Sequence, residues 1–167
     1  PGTVLHGIRI DRLIGRGASA AVYGAVDEAS GDAVALKILD PQPDAVLRAE
    51  SLDAARRAMV LAHPNIVRVH GGGEFATSVF LVMELLPGSD LSRYARPDRL
   101  LPEAAVLEIA EQLAQALAHA HRHGVAHRDV KPANVIYDPA TRRAVLTDFG
   151  LARAPDAQST RSGVMLG

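Results

Sequence analysis

Two short stretches carry the side chains with the most chemistry to offer. His127-Arg128-Asp129-Val130-Lys131-Pro132-Ala133-Asn134 sets an acid, a cation and an amide close together, and Asp148-Phe149-Gly150 follows the apolar run Ala144-Val145-Leu146. Phosphoryl transfer needs such a set, because it spreads charge over phosphate oxygens and relies on positioned cations more than on covalent help. Magnesium takes oxygen ligands, commonly one or two from carboxylate or amide groups and the rest from phosphates. Asn134 and Asp148 suit those two ligand roles. Asp129 suits the carboxylate that accepts the proton of an attacking hydroxyl, and Lys131 can neutralise a γ-phosphate. Either stretch alone reads as a charged surface turn. The two in order, with Asn134 in register between them, read as one site.

His-Arg-Asp, four residues and Asn, followed by Asp-Phe-Gly, resembles the signature of eukaryotic-type Ser/Thr protein kinases. Asp-x-Lys-Pro-x-Asn at 129–134 resembles the Ser/Thr rather than the tyrosine type, and Phe149-Gly150-Leu151-Ala152-Arg153 with Leu117-Ala118-His119-Ala120-His121 resembles the bacterial branch. The resemblance implies an α/β (α+β) two-lobe fold, with an antiparallel upper sheet carrying one main helix above a helical lower lobe. It implies ATP and Mg2+ as cofactors and protein Ser/Thr as the acceptor. It also implies catalytic roles for Asp129, Lys131, Lys37, Asn134 and Asp148, with Asn134 and Asp148 on the metal.

These groups need elements to hold them. Residues 8–40 alternate and turn like short antiparallel strands, which predicts strands over Arg9–Ile14, Ala20–Asp27 and Ala33–Leu39. Between the first two, Gly15-Arg16-Gly17-Ala18-Ser19-Ala20-Ala21-Val22 matches the Gly-rich phosphate loop of the family, except that Ala20 replaces the third glycine. Glycine lets backbone approach phosphate without a Cβ clash, and alanine is the least obstructive substitute. By resemblance, Gly15, Arg16, Gly17, Ala18, Ser19, Ala20, Val22, Ala35 and Lys37 surround the nucleotide. Met83 then guards the back of the adenine pocket, and Glu84-Leu85-Leu86 is the hinge. The lobes divide accordingly into 1–87 and 88–167.

Asp44 is positioned to cap a helix running to about Ala62, before His63-Pro64-Asn65. In the family this helix carries a glutamate that pairs with the strand lysine, but the usual spacing from His63 lands on Ala54. Glu50 lies one turn earlier on the same face and is the expected partner of Lys37. Further strands are expected over Ile66–His70 and Val79–Met83, joined through Gly71-Gly72-Gly73. Pro87-Gly88-Ser89-Asp90 reads as a turn. Pro102 opens the longest helix, whose stripe of Val106, Ile109, Leu113, Ala116 or Leu117, and Ala120 is expected to be core. His119, His121 and His123 do not face one another at that spacing, so the reading is protonated histidines favoured at a helix C-terminus rather than a metal site.

The balance of 48% hydrophobic and 22% charged residues suits a globular domain, and a net charge of −1 argues against a nucleic-acid partner. There is no cysteine, and the longest apolar run, Val79–Met83, is far short of a membrane span, so no membrane contact is expected. A cytoplasmic location, free or as the cytoplasmic domain of a membrane-anchored parent, is the default. Pro1 reads as a cut end. The chain stops at Gly167, where kinases of this type continue into a substrate-docking segment, so the isolated piece is expected to be inactive alone and poorly soluble. Thr160 and Ser162 are candidate phosphosites, with Arg128 beside Asp129 able to hold a phosphate bidentately. Two alternatives stand beside the kinase reading. One is a pseudokinase, a nucleotide-binding or scaffold module, motivated by Ala20 and Ala54. The other is a small-molecule kinase of the same fold, against which Arg128 argues, since that group carries glycine there.

Overall fold

The computed structural model describes residues 2–149, so Gly150 and the candidate phosphosites Thr160 and Ser162 lie outside the described residues. Strands β1 (Val4–Leu5), β2 (Ile8–Arg16), β3 (Ala20–Asp27), β4 (Ala33–Leu39), β5 (Val69–Phe75) and β6 (Ser78–Glu84) form one antiparallel sheet in the order β1-β2-β3-β4-β6-β5. The register sets Val22 opposite Lys37 and Ala35 opposite Met83. The nucleotide-facing positions read from the sequence therefore share neighbouring strands. A smaller sheet, β7 (Ser89–Asp90), β8 (Val135–Asp138) and β9 (Arg143–Leu146), packs against helix α2 (Glu103–Arg122).

Helix α1 (Ala45–Met59) begins where Asp44 accepts a hydrogen bond from the Val46 amide at 2.8 Å, as its side chain predicts. It ends before the expected Ala62, because the chain turns to insert Leu61, 1% exposed, into the core. The helix presents Ala54, Ala55 and Ala58 to the sheet. Alanine methyls bury little area, so its attachment is shallow.

Strand β5 starts at Val69 rather than Ile66 and runs through the three glycines expected to be a connector. A Cβ on Gly72 would lie 2.7 Å from the Phe80 carbonyl oxygen, so close pairing with β6 requires glycine there. The residues before it have a different task. Ile66 forms a parallel bridge to Leu146, and the Val67 amide donates to the Leu146 carbonyl at 3.0 Å, so this segment stitches the upper half of the molecule to β9.

Along α2, Ile109, Ala116 and Ala120 are buried and Leu113 and Leu117 partly so, but Val106 is 50% exposed. Val106 is thus a correction to the expected core stripe, since no described element covers the first turn of that face. Gly88, between the two sheets, has φ of +96°, and a Cβ there would sit 2.2 Å from the Tyr137 carbonyl oxygen. Gly88→Ala is expected to cost about 1–3 kcal/mol of unfolding free energy from the positive φ, and more from the contact with the Tyr137 carbonyl. Urea titration of the two proteins checks it.

Candidate active site

The turn from 127 to 134 is built around a buried histidine. His127, 1% exposed, takes the Asp129 amide on Nδ1 at 3.2 Å, which leaves Nε2–H to donate to the Thr147 carbonyl at 2.6 Å. That pairing sets a neutral ring with its proton on Nε2. One side chain thereby ties the turn carrying Asp129 to the strand end carrying Asp148, and Phe149 packs edge-on against the same ring at 4.6 Å. Sequence reasoning quoted His127 but gave it no task. The available signal was its position two residues before Asp129, within reach of that residue's amide.

Asn134 completes the turn at the end of a short 3-10 segment, Pro132–Asn134. Its Nδ2 donates to the Asp129 carbonyl at 2.8 Å and to Asp129 Oδ2 at 3.0 Å, and its own carbonyl accepts from Thr147 N at 2.8 Å. With the amide nitrogen committed, the free face of the side chain is Oδ1, an oxygen donor suited to magnesium. Lys131 Nζ lies 2.7 Å from Asp129 Oδ2. That hydrogen bond first, helped by Asn134 and by the charge of Lys131, holds the Asp129 carboxyl below its usual value against the opposing effect of burial. Asp129 is therefore an ionised acceptor at neutral pH.

Asp148 reaches the site from the other side. Lys37 on β4 is 7% exposed, and its Nζ lies 2.6 Å from Asp148 Oδ1. Glu50 is not the partner of Lys37, contrary to the sequence expectation. It is exposed on α1 and forms no ion pair among the described residues, while the helix face turned to the sheet carries only alanines. The turn of helix separating Glu50 from position 54 is not made up by any shift of α1, and the lysine finds its carboxylate on Asp148 instead. Arg128 and Asp148 both have φ of +66°, so two positions beside the chemistry hold uncommon backbone conformations.

The loop above the site closes on itself through Gly17 N to Ala20 O at 2.8 Å, and Arg16 lies 3.5 Å from Asp40. The Ala20 methyl packs with Leu39 and Val79, so the departure from glycine feeds a small apolar cluster. Gly15, Ala18 and Ser19 are exposed along the same loop. Val22, Ala35, Met83 and Leu86 belong to or pack on the main core cluster, which places an apolar wall between the loop and the hinge segment. Glu84 pairs with Val34 across the sheet.

The last turn of α2 corrects another expectation. His119 packs at a tilt against His123 at 4.4 Å and His63 at 5.2 Å, and its Nε2 is buried without a hydrogen-bond partner. Desolvation first, then the charges of His123, His63 and Arg122, hold His119 below its usual 6.5. His63 is lowered by desolvation and by Arg122. Of the three helix-end histidines, His119 is thus kept neutral rather than protonated, and His63 beside it is neutral too. The unfolded chain binds more protons at these sites, so stability rises with pH there. Melting temperature is expected to fall as pH drops from 7.5 through 6.5 towards 5.5, and less steeply in His119→Phe, as calorimetry would show.

Comparison with known proteins places this geometry. The profile of the family described as protein kinase domain matches residues 8–165. CBL-interacting protein kinase 4 of Oryza sativa subsp. japonica is 43% identical over 157 residues, covering 88% of this chain and 33% of that protein. Serine/threonine-protein kinase PknD of Mycobacterium tuberculosis is 40% identical, covering 93% of this chain and 24% of that protein. PknA of the same species is 38% identical, covering 99% and 40%. The crystal structure of the Mycobacterium tuberculosis PknI kinase domain superposes with a TM-score of 0.82 at 34% identity, covering 93% of this chain and 64% of that one. The chain thus spans between about a quarter and two fifths of the length of these curated relatives.

Proposed function

The chain belongs to the protein kinase domain family, and from that premise we propose that it is the nucleotide-binding and catalytic part of an ATP-dependent Ser/Thr protein kinase. The observation that supports this best is that the turn pairing Asp129 with Lys131 and Asn134 is tied through Asn134 and His127 to Thr147, next to Asp148, to which Lys37 comes from the other sheet. Residues 1–87 form the roof over the nucleotide and 88–167 the catalytic half.

The family in general uses ATP and magnesium, and the donor set fits that metal. Asn134 has an uncommitted amide oxygen, Asp148 has a second carboxylate oxygen, and among the described residues no group of three or more His, Cys, Asp or Glu forms a metal cage. Magnesium, when bound, neutralises charge on the phosphate oxygens. The remaining work is done by the chain. Lys37 holds the α- and β-phosphates, and the Gly-rich loop from Gly15 to Val22 covers them. The acceptor hydroxyl bonds to the γ-phosphorus as the bond to ADP breaks, its proton passes to Asp129, and Lys131 stands beside the transferring group.

The acceptor is a Ser or Thr of a protein, a reading supported by Lys131 and by relatives named as Ser/Thr kinases. We place the activity in the cytoplasm, where ATP and magnesium are supplied. Among the described residues no helix is long and apolar enough to cross a membrane. Thr160 and Ser162 remain proposed phosphosites, and phosphosite mapping with a Thr160→Ala/Ser162→Ala double variant checks them. Retained full activity with neither residue modified rules them out.

A pseudokinase is the second reading, favoured by the absence of a carboxylate from α1 at Lys37. Incubation with γ-labelled ATP, magnesium and a Ser/Thr-rich protein separates the two. Label on Ser or Thr supports the kinase, and tight ATP binding with no transfer in any form of the protein supports the module.

A further inference from the structure

Arg143 stands at the start of β9 and reaches two other elements at once. Its Nε donates to the Pro64 carbonyl at 2.8 Å, while Nη1 and Nη2 donate to Glu84 Oε1 and Oε2 at 2.8 and 3.4 Å. Glu84 ends β6 and begins the hinge. It is gripped from its other side as well, its amide donating to the Arg68 carbonyl at 2.9 Å and its Oε2 accepting from Arg68 N at 3.5 Å. One planar guanidinium therefore joins the segment after α1, the hinge and the strand that runs on to Asp148. The nucleotide must span the gap between those last two.

We propose that Arg143 is a positioning residue for nucleotide binding, setting the separation between hinge and Asp148 through Glu84. This rests on the nucleotide-binding reading above. The fork geometry is essential to it, since a guanidinium makes parallel bonds to a carboxylate and still has Nε–H for a third acceptor, which an ammonium cannot reproduce. The pair is about a third exposed, with side-chain exposures of 34% and 29%, so it adds little to global stability. Its contribution lies in holding the cleft preorganised.

Calorimetric titration of the whole chain with ADP and magnesium, alongside melting temperature, tests this in wild type, Arg143→Ala, Arg143→Lys, Glu84→Gln and the Glu84→Gln/Arg143→Ala double variant. Arg143→Ala and Glu84→Gln are each expected to weaken ADP on the order of fivefold to tenfold. The double variant should lose no more than either single, as residues in contact do. Arg143→Lys should resemble Arg143→Ala, with melting temperatures close to wild type throughout. Unchanged or tighter ADP binding in Arg143→Ala overturns the inference, as do additive losses or a loss that tracks a fall in melting temperature. A wild-type chain that binds no ADP overturns the nucleotide reading itself.

Discussion

Asp129→Asn is expected to lower kcat by about 10²–10⁴-fold, the usual worth of a positioned general base, while ADP affinity stays near wild type. The substitution keeps the shape of the side chain and leaves the backbone bonds of the turn in place. The Asp129 amide still donates to His127 Nδ1 and its carbonyl still accepts from Asn134. What disappears is a carboxylate held ionised by Lys131. Because that carboxyl titrates below its usual range, acidification from pH 7 to 5 should not remove the base. A rate that falls in that interval must report another group. The measurement is steady-state phosphorylation of a protein substrate in a form of the protein that shows transfer, paired with nucleotide titration. Wild-type turnover in Asp129→Asn would assign the proton to another acceptor.

The second large effect is expected at Lys37. Lys37→Met should reduce kcat by about 10²–10³-fold, as loss of one preorganised donor at developing charge does, and should weaken ATP as well. Its cation is nearly buried and faces Asp148 at 2.6 Å, so its removal leaves a carboxylate without its partner in a partly desolvated site. Glu50→Ala, by contrast, should leave both nucleotide affinity and turnover within about twofold, since surface charges away from a partner contribute little. The contrast is diagnostic. A Glu50→Ala loss comparable to that of Lys37→Met would mean that α1 moves to bring its glutamate to the lysine during turnover.

Much of the chemistry was legible before the fold. Asp129, Lys131 and Asn134 lie close along the chain, and it is their order with Asp148-Phe149-Gly150 that reads as one site. Strands β2, β3 and β4 follow from alternation and from turn residues that act over two or three positions. The same locality explains the misses. The end of α1, the start of β5 and the exposure of Val106 depend on what packs alongside each segment, which period and propensity do not encode. Gly71-Gly72-Gly73 reads as a connector, yet it pairs as a strand with β6, which approaches too closely for a side chain at Gly72.

By itself, the sequence determined which groups are available and which are close along the chain: the acid, amide and cation of the 127–134 turn, the Asp148-Phe149 pair, the Gly-rich loop and the Lys37 strand. Only the tertiary structure decided who pairs with whom. Lys37 meets Asp148 across 111 positions rather than Glu50, and Arg143 meets Glu84 across 59. The physical reason is that these ion pairs are settled by the distance and orientation of elements packed on one core. A helix face of alanines, presenting no carboxylate to the sheet, hands the lysine to whichever acid the opposite lobe delivers.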